Sequence, residues 1–478
     1  MISFGTDGWR AVIADTFTFA NLRLVAQAVA DSILAQHKGI DAPEVVIGYD
    51  TRFLSDRFAI ETARVMAGNG IIAWLSRADA PTPAISYNVI DKKAAAGIVI
   101  TASHNAPRYN GFKLKASYGG SATKEQASLV EHYLRVIEQE GRGAHILDYQ
   151  EAMDSKLIRR FDPTWIYYQH LSEFIDLDKI SDRELTIVTD AMYGSGRGSL
   201  NMMLSRTRTR VTEIRGDMNP GFGGIHPEPI VQHLTELSAA IQRVHADVGL
   251  ATDGDADRIG AVDAQGNFVD PHTIFALVLR HLVENKGMTG EVVKTISTTF
   301  MIDNMAAEYG LTLHETPVGF NHIADLMMQR DVLIGGEESG GISVKGHIPE
   351  GDGILMGLLL LEVMAYHNAP LHEIVADLQQ TYGPTCYARN DVRLSTLLAK
   401  KEIVSLLESQ APATLAGEAV VRVNTMDGIK FYLADNSWLL IRPSGTEPVL
   451  RIYAEARTNA MVSAMLKEGG DLGQKIVG

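Results

Sequence analysis

The chain has 478 residues, and at about 100–200 residues per domain this length predicts three or four domains. Lys and Arg number 43 against 58 Asp and Glu, which gives a net charge of −15 with histidine neutral. A surface this acidic repels polyanions, so nucleic acid and anionic membranes are not expected partners. Hydrophobic residues make up 46% of the chain, which excludes a disordered or fibrous polymer and supplies apolar surface for several cores.

The single cysteine, Cys386, excludes an intramolecular disulfide and a paired-cysteine zinc site. The first residues show no basic start followed by an apolar stretch, so no secretory signal is expected and a reduced, cytoplasmic setting is predicted. The longest apolar run, residues 354–361, is far shorter than the roughly 18–20 residues that span a bilayer, and it is predicted to be a buried helix.

Short apolar runs rich in Val and Ile alternate with longer stretches of helical periodicity, which is typical of βαβ units with parallel strands buried on both faces. The clearest predicted strands are residues 45–48, 97–100, 186–189 and 292–296. Two of them lead into polar or small residues, at 49–52 and 190–194, where the carboxyl ends of parallel strands usually present ligand groups. The pattern predicts an α/β fold.

Breaks in this pattern predict four units. A charged helical stretch over residues 124–142 closes the first, and a β-hairpin over residues 259–270 opens the third. Beyond Pro384, short strands separated by turns replace the βα pattern and indicate a small α+β unit; they are residues 420–423, 429–433, 438–442 and 449–453. The predicted ranges are 1–148, 149–258 and 259–382 for three α/β units and 383–478 for the α+β unit.

The most informative motif is Asp-Gly-Asp-Ala-Asp-Arg at residues 253–258, between two apolar strands. Asp253, Asp255 and Asp257 alternate along the backbone and project to one side, and such hard oxygen ligands suit Mg²⁺ better than zinc. A calcium loop of the EF-hand type is excluded, because its sixth and twelfth positions would be Arg258 and Ala264 instead of Gly and Glu. Arg258 adds a fork for phosphate beside the acids, and a solvated acidic turn is the alternative.

A loop at residues 101–113 follows a predicted strand and contains Ser103, His104 and Lys113. Ser103 and His104 are adjacent in sequence and do not form a hydrolase triad, and the chain has no GxSxG motif. Carrying a phosphoryl group is another purpose for Ser103, because phosphoserine bears about −1.5 to −2 charges and would be a ligand for the same Mg²⁺. An ordinary polar loop is the alternative.

A third motif, at residues 335–341, places glycines around Glu337 and Ser339. Glycine lets the backbone approach a polar ligand closely, and a carboxylate can accept hydrogen bonds from vicinal sugar hydroxyls. Gly-rich acidic turns without a ligand are common, so this motif is weak by itself. Arg10, which follows a glycine-spaced turn near the start, is also uninformative without context.

The fourth motif begins at Arg442, whose guanidinium offers a bidentate fork to phosphate. Ser444, Gly445 and Thr446 add hydroxyls and a run of backbone N–H groups suited to an anion, and Arg451 follows closely. The alternative is a hairpin turn with an incidental arginine.

Taken together and in order, the motifs at Ser103, Asp253, Glu337 and Arg442 make the sequence resemble the α-D-phosphohexomutase superfamily, which holds phosphoglucomutase, phosphomannomutase and phosphoglucosamine mutase. The resemblance covers the full length, with one motif in roughly each quarter. It implies three similar α/β domains with mixed sheets plus a C-terminal α+β domain of the TATA-binding-protein-like type, arranged around a central cleft.

The resemblance also implies roles for the motif residues. The implied metal site binds Mg²⁺ through phosphorylated Ser103, Asp253, Asp255 and Asp257. The implied catalytic groups are Ser103, which carries the phosphoryl group, and the residues that surround it to assist proton transfer or stabilise charge: His104, Lys113, Arg10 and Arg258. The implied substrate-binding groups read sugar hydroxyls or hold the non-reacting phosphate; they are Glu337, Ser339, Arg442, Ser444, Gly445, Thr446 and Arg451.

The implied reaction interconverts hexose 1-phosphate and hexose 6-phosphate through a phosphoserine enzyme and a hexose 1,6-bisphosphate, which is also the expected activator. Phosphomannomutase-type and phosphoglucosamine-type members commonly have Ser-Gly-His where this chain has Ser339-Gly340-Gly341. The missing histidine favours glucose phosphate, with mannose phosphate and glucosamine phosphate as the close alternatives, and leaves one proton-transfer group unassigned. Ala106 stands where the family often has proline, with no expected consequence. The competing hypotheses are an Mg²⁺-dependent phosphohydrolase with Asp253 as nucleophile and a non-catalytic sugar-phosphate sensor.

Overall fold

The computed structural model describes residues 2, 4–5, 8–39, 42–394, 400–443 and 449–477. Its named strands form four sheets of six, five, four and six strands, each built from one stretch of the chain. The first three sheets carry helices between their strands, as the α/β prediction requires. The fourth is antiparallel with helices segregated from the strands, so the predicted change to an α+β unit is confirmed.

The first unit is a mixed sheet with helices on it. Its elements are β1 (Trp9–Val12), α1 (Phe19–Gln36), β2 (Glu44–Tyr49), α2 (Ser55–Gly68), β3 (Ile72–Ser76), α3 (Thr82–Asp91), β4 (Ala96–Ile100), β5 (Tyr109–Ala116), α4 (Lys124–Glu140), α5 (Tyr149–Asp154) and β6 (Ile158–Phe161). The sheet order is β1-β5-β4-β2-β3-β6, and the β4–β5 pair is antiparallel. The loop that joins β4 to β5 carries Ser103.

One strand of the first sheet, β6, lies beyond the predicted boundary at residue 148. β6 pairs in parallel with β3, and Ile158 is buried in the core of the first unit. The helix that was expected to close this unit does form: Thr123 caps α4 through a capping box with Gln126, and Gly141 ends it in the left-handed conformation. The chain then adds a short helix and one more edge strand before leaving the sheet.

The second unit contains α6 (Thr164–Ser172), α7 (Leu177–Arg183), β7 (Thr186–Asp190), α8 (Ser199–Leu204), β8 (Arg210–Ile214), α9 (Thr235–Val244), β9 (Val248–Thr252), β10 (Ile259–Asp263) and β11 (Phe268–Val269). Its sheet order is β11-β10-β9-β7-β8. The predicted hairpin at 259–270 is present, but β10 pairs with β9, so this hairpin closes the second unit and does not open the third. The predicted boundary after Arg258 therefore falls inside a sheet.

The third unit contains α10 (Pro271–Arg280), β12 (Glu291–Thr295), α11 (Met301–Tyr309), β13 (Leu313–Thr316), α12 (Phe320–Gln329), β14 (Val332–Gly336), β15 (Ile342–Val344), α13 (Gly353–His367) and α14 (Leu371–Tyr382). Its sheet order is β13-β12-β14-β15. A single hydrophobic core is common to the second and third units, with α13 among its members. These two units therefore pack as one body.

The fourth unit contains β16 (Cys386–Arg393), α15 (Lys400–Ser409), β17 (Thr414–Leu415), β18 (Glu418–Asn424), β19 (Ile429–Leu433), β20 (Trp438–Pro443), β21 (Val449–Ala456) and α16 (Asn459–Val477). Its sheet order is β16-β21-β20-β19-β18-β17. The unit has its own hydrophobic core, as the first unit does. It meets the third unit through Phe300, whose backbone N–H donates to Glu455 at 2.8 Å, and through Lys430, which donates to the carbonyl of Ile296 at 2.5 Å.

Every residue of helix α13 from Gly353 to Ala365 is buried, which confirms the prediction of a buried helix at 354–361. Its N-terminus abuts the Asp253–Arg258 segment: the Gly353 N–H donates to the carbonyl of Ala256 at 3.1 Å. A Cβ on Gly353 would lie 2.1 Å from the carbonyl oxygen of Arg258, so only glycine allows this approach. Along the described ranges, no single helix meets the length and hydropathy needed to cross a bilayer, although α13 and α14, bent by 85°, do so as a pair.

We expect Leu358→Ala to lower the free energy of unfolding by about 2–5 kcal/mol, because Leu358 is fully buried in the shared core and its removal leaves a cavity. Denaturant titration followed by tryptophan fluorescence measures the loss. Leu406→Ala, at a side chain that is 42% exposed, is the matched control and should change the midpoint little. Equal losses in the two variants would contradict the assignment of α13 to the core.

Candidate active site

Ser103 lies in the tight loop between β4 and β5 and is almost completely buried. Its backbone adopts φ of +51°, in the left-handed region that residues other than glycine seldom occupy. The Ser103 hydroxyl donates to Oδ2 of Asp253 at 2.9 Å and lies 3.3 Å from Nδ1 of His104. The structure thus brings the predicted phosphoserine directly against the predicted metal site, 150 residues later in the sequence.

The loop between β9 and β10 carries the three predicted metal ligands. Asp253, Asp255 and Asp257 are buried, and each offers a carboxylate oxygen within 4.8 Å of the others. Oδ1 of Asp255 and Oδ1 of Asp257 are buried without a hydrogen-bond partner in the described structure. Hard oxygen donors that converge in this way, with unsatisfied atoms among them, fit Mg²⁺.

The surroundings of the acidic loop shift the pKa values of two of its carboxyls in opposite directions. Burial, and then the neighbouring Asp257 and Asp255, raise the pKa of Asp253 well above its ordinary value. Burial acts to raise the pKa of Asp255 as well, but Lys113, Thr82 and Arg10 together outweigh burial and lower the pKa of Asp255. Nζ of Lys113 donates to Oδ2 of Asp255 at 2.8 Å and to Oδ2 of Asp257 at 2.9 Å. Lys113 is therefore part of the same cluster, as the resemblance implies.

Two arginines form the electropositive side of the site, and an uncharged histidine lies near them. The Arg258 guanidinium lies 3.9 Å from Asp257 and 3.8 Å from Glu228. Burial acts to lower its pKa, but the carboxylates of Asp257, Asp253, Glu228 and Glu337 together outweigh burial and raise it. Arg10 donates to Oδ1 of Asn105 at 2.7 Å, next to the Ser103 loop. Burial, and then the charge of Arg258, lower the pKa of His104 well below its ordinary value, so this ring is neutral at pH 7.

The predicted sugar motif forms the turn between β14 and β15. Oε1 of Glu337 accepts the N–H of Gly319 at 2.9 Å, and the Ser339 hydroxyl lies 3.5 Å from Oε2 of the same carboxyl. Burial, and then the neighbouring Glu338, raise the pKa of Glu337 to about 8. A carboxyl that is neutral at pH 7 both donates and accepts hydrogen bonds, which suits recognition of sugar hydroxyls.

Of the predicted phosphate-binding residues in the fourth unit, only Arg442 and Arg451 lie among the described residues. Ser444, Gly445 and Thr446 lie outside the described residues. Nε of Arg442 donates to Oδ2 of Asp427 at 2.8 Å, and that oxygen also accepts the N–H of Val318 at 2.9 Å. Arg451, on β21, lines a cavity that several other predicted site residues also line.

A cavity of about 910 Å³ brings the motifs together. Its lining includes predicted site residues from all four units: Arg10, Ser103, His104, Lys113, Asp257, Arg258, Glu337, Ser339 and Arg451. Asp253 and Asp255 lie behind this wall, in contact with Ser103 and Lys113, and Arg442 is not among the described lining residues. The volume is that of a site for a small ligand.

Several residues that sequence reasoning did not single out also belong to the site. Strand β16 contributes Tyr387, Arg389 and Asn390 to the cavity wall, and nothing in its mixed polar sequence marks it as a binding strand. Glu350 accepts from Lys115 at 2.6 Å, which joins the third unit to the first at the cavity wall. These contacts depend on tertiary structure and have no local sequence signature.

The histidine missing at Gly341 is not replaced at the same place. A Cβ at Gly341 would lie 3.6 Å from Oε2 of Glu337, so a side chain there would adjoin the Glu337 carboxyl. The histidines in the described cavity wall are His104 and His272. Nδ1 of His272 accepts the N–H of Thr299 at 3.1 Å, so its Nε2 carries the proton when the ring is neutral.

Four family models match the chain in succession. They are Phosphoglucomutase/phosphomannomutase, alpha/beta/alpha domain I over residues 1–140, domain II over 166–266, domain III over 270–382 and the C-terminal domain over 402–468. The chain therefore belongs to the phosphoglucomutase/phosphomannomutase family of the α-D-phosphohexomutase superfamily, and it is a mutase enzyme of the phosphohexomutase class.

Relatives that share its length carry different substrate names. The chain is 29% identical to the phosphoglucomutase/phosphomannomutase of Thermococcus kodakarensis over 98% of its own length and 97% of that protein. It is 30% identical to a predicted phosphoglucosamine mutase of Pyrococcus furiosus, with 98% and 97% coverage. It superposes on the crystal structure of a predicted phosphomannomutase from Thermus thermophilus with a TM-score of 0.86, 33% identity and 99% coverage of each chain.

Proposed function

We propose that this phosphohexomutase interconverts a hexose 1-phosphate and the corresponding hexose 6-phosphate through phosphorylated Ser103 and a hexose 1,6-bisphosphate intermediate, with glucose phosphate as the preferred substrate. The contact between the Ser103 hydroxyl and Asp253, at 2.9 Å in a cavity that also holds Glu337 and Arg451, is the observation that carries the proposal. In the proposal, a phosphoryl carrier, an acidic metal site, a sugar-reading carboxyl and a phosphate-binding cation meet at one cavity.

In the proposed first step, the free hydroxyl of the hexose phosphate attacks the phosphorus atom on Ser103. The bond from phosphorus to Ser103 Oγ breaks as a bond to the sugar oxygen forms, so the hydroxyl loses its proton and Oγ gains one. Lys113, in the cavity wall, is the group that we assign to this proton exchange. The bisphosphate then turns over in the cavity and returns its other phosphoryl group to Ser103 by the reverse of the same step.

Positioning and charge neutralisation dominate the energetics of phosphoryl transfer. Arg10 and Arg258 line the cavity beside Ser103 and supply fixed positive charge for the transferred oxygens. Mg²⁺ would be held by Asp253, Asp255, Asp257 and a phosphoryl oxygen on Ser103, and when bound it neutralises charge on the moving phosphoryl group. Glu337 and Ser339 are proposed to hold the sugar hydroxyls, and Arg451 the phosphate that does not react.

Mass spectrometry of Ser103 tests the phosphoserine directly. Peptide mapping of the purified protein should find phosphate on Ser103, and incubation with excess glucose 1-phosphate should replace it with phosphate derived from the substrate. Isotopically labelled substrate phosphate distinguishes exchange from a static modification. A protein that turns over substrate while Ser103 stays unmodified throughout would overturn the proposed mechanism.

We expect kcat/KM to be higher for glucose 1-phosphate than for mannose 1-phosphate or glucosamine 1-phosphate. The reason is Gly341, which places no side chain beside Glu337 where mannose-type and glucosamine-type members commonly have histidine. The three sugars should be compared side by side in a coupled assay with the same bisphosphate activator. In Gly341→His, the ratio of kcat/KM for glucose 1-phosphate to kcat/KM for the other two substrates should be smaller than in the wild type. A wild-type kcat/KM for glucose 1-phosphate below the values for the other two substrates would contradict the choice of substrate.

A further inference from the structure

Arg52 lies just after β2, and its side chain is completely buried beneath the Ser103 loop. A guanidinium has five N–H donors, and all five are used here. Nε donates to Oδ2 of Asp50 at 3.0 Å. The other four donate to backbone carbonyls of one loop, those of Ser103, Asn105 (2.7 Å), Ala106 (3.0 Å) and Tyr109 (3.0 Å).

Asp50 extends this network to the other side of the loop. Its carboxylate accepts the hydroxyls of Thr101 at 2.6 Å and Ser55 at 2.9 Å and the backbone N–H of Arg52 at 3.0 Å. The Thr101 hydroxyl oxygen in turn accepts the N–H of Ser103 at 2.8 Å. The backbone N–H of Ser103 is therefore bound by Thr101 and its carbonyl by Arg52. The side chains of Thr101 and Arg52 both donate to the carboxylate of Asp50.

The Ser103 loop is also fitted closely to the acidic loop. A Cβ on Gly254 would lie 2.5 Å from the carbonyl oxygen of Ser103, so the two loops touch through backbone at this point. The same carbonyl accepts from Arg52. A shift of the Ser103 backbone would change the position of Oγ relative to Asp253, and phosphoryl transfer is sensitive to misplacement of about 1 Å.

We infer that Arg52 is a positioning residue for phosphoryl transfer: its hydrogen bonds to Asp50 and to four backbone carbonyls hold Ser103 in the left-handed conformation that places Oγ against Asp253. The inference rests on the proposed role of Ser103. Arg52 is not among the described residues that line the cavity, so the inference gives it no direct contact with the substrate.

Arg52→Lys tests the inference, because an ammonium has three donors and leaves at least two of the five acceptors unpaired. The measurement is the single-turnover rate constant for transfer from phosphorylated Ser103 to glucose 1-phosphate, normalised to the phosphoserine content. We expect this rate constant to fall by about 100-fold, with KM for glucose 1-phosphate changed by less than about threefold. Arg197→Lys is the matched control. Arg197, in the second unit, forms a 2.5 Å ion pair with Asp79 of the first unit and makes no described contact with the Ser103 loop, so this variant should keep the wild-type rate constant.

The outcomes separate positioning from stability. A lower melting temperature with an unchanged rate per phosphoserine would assign Arg52 a purely structural role and overturn the inference. If Arg52→Lys does not fold, Thr101→Val, which removes the support of the Ser103 N–H with little change of volume, should show the same selective loss of rate; a wild-type rate in that variant would overturn the inference. Absence of phosphoserine in the wild-type enzyme would refute the proposed function itself, whereas a normal wild-type enzyme with a normal Arg52→Lys rate refutes only the inference.

Discussion

Ser103→Ala should lower kcat for mutase turnover by about 10⁴-fold or more, because the variant has no oxygen to carry the phosphoryl group between the two sugar positions. The Ser103 hydroxyl lies 2.9 Å from Asp253, and its replacement leaves the acidic loop, Lys113 and the sugar motif in place. Substrate binding, measured by calorimetry with glucose 1-phosphate, should therefore persist. Loss of turnover with retained binding is the signature of a missing carrier.

Ser86→Ala is the matched control for this variant. Ser86 is a buried serine on α3 whose hydroxyl has no hydrogen-bond partner among the described residues, so its removal should leave kcat close to the wild-type value. The same pair of variants also separates the competing functions. A phosphohydrolase that used Asp253 as nucleophile would release phosphate at an undiminished rate in Ser103→Ala, and a non-catalytic sensor would show no turnover even in the wild type. Either result would contradict the mutase mechanism.

Removal of divalent cations should reduce kcat by about 10³-fold, and added Mg²⁺ should restore it. The structural reason is the convergence of three buried carboxylates, two of which have an oxygen without a partner in the described part of the chain. Asp257→Asn should weaken Mg²⁺ binding, measured by calorimetry with the metal alone. Loss of a residue that only supports a metal ligand costs roughly 10–100-fold in affinity, and loss of a proposed ligand should cost at least as much. Asp154→Asn, at the end of a short helix in the first unit, should leave Mg²⁺ affinity unchanged.

The melting temperature provides a second readout that does not depend on turnover. A ligand that binds only the folded state stabilises it in proportion to the logarithm of its concentration above Kd. Mg²⁺ should therefore raise the melting temperature of the wild type and of Asp154→Asn, and raise that of Asp257→Asn less. An equal shift in all three proteins would show that the metal binds elsewhere.

The parts of the structure that the sequence predicted well are those with a local signature. Alternation of apolar strands and helices is a property of short windows, so the α/β pattern and the buried helix at 354–361 could be recognised directly. The Asp253–Arg258 motif carries its chemistry within six residues, which is why it pointed to a metal site without any knowledge of the fold. Ser103, Lys113 and Glu337 became informative only in combination, and the cavity confirms that they lie together.

The parts that were missed depend on which distant strand a segment joins. Nothing within residues 158–161 shows that they pair with β3, nor within 259–263 that they pair with β9. Arg52 was visible in the sequence only as a polar residue after a strand, where a ligand-binding group was expected; the structure shows that it faces the protein and holds four carbonyls of the Ser103 loop. Arg442 was predicted to bind phosphate; the structure shows that its guanidinium donates to Asp427, and it is not among the described cavity-lining residues.

The attachment of Gly353 to the acidic loop has a consequence for how the molecule can move. The loop that carries the three aspartates is tied to α13, and α13 is embedded in the core that the second and third units share. The loop with the three aspartates is therefore expected to move together with the second and third units. The first and fourth units have cores of their own, so we expect any change of the cavity's shape to come from movements of these two units, which carry Ser103 and Arg451, relative to the three aspartates.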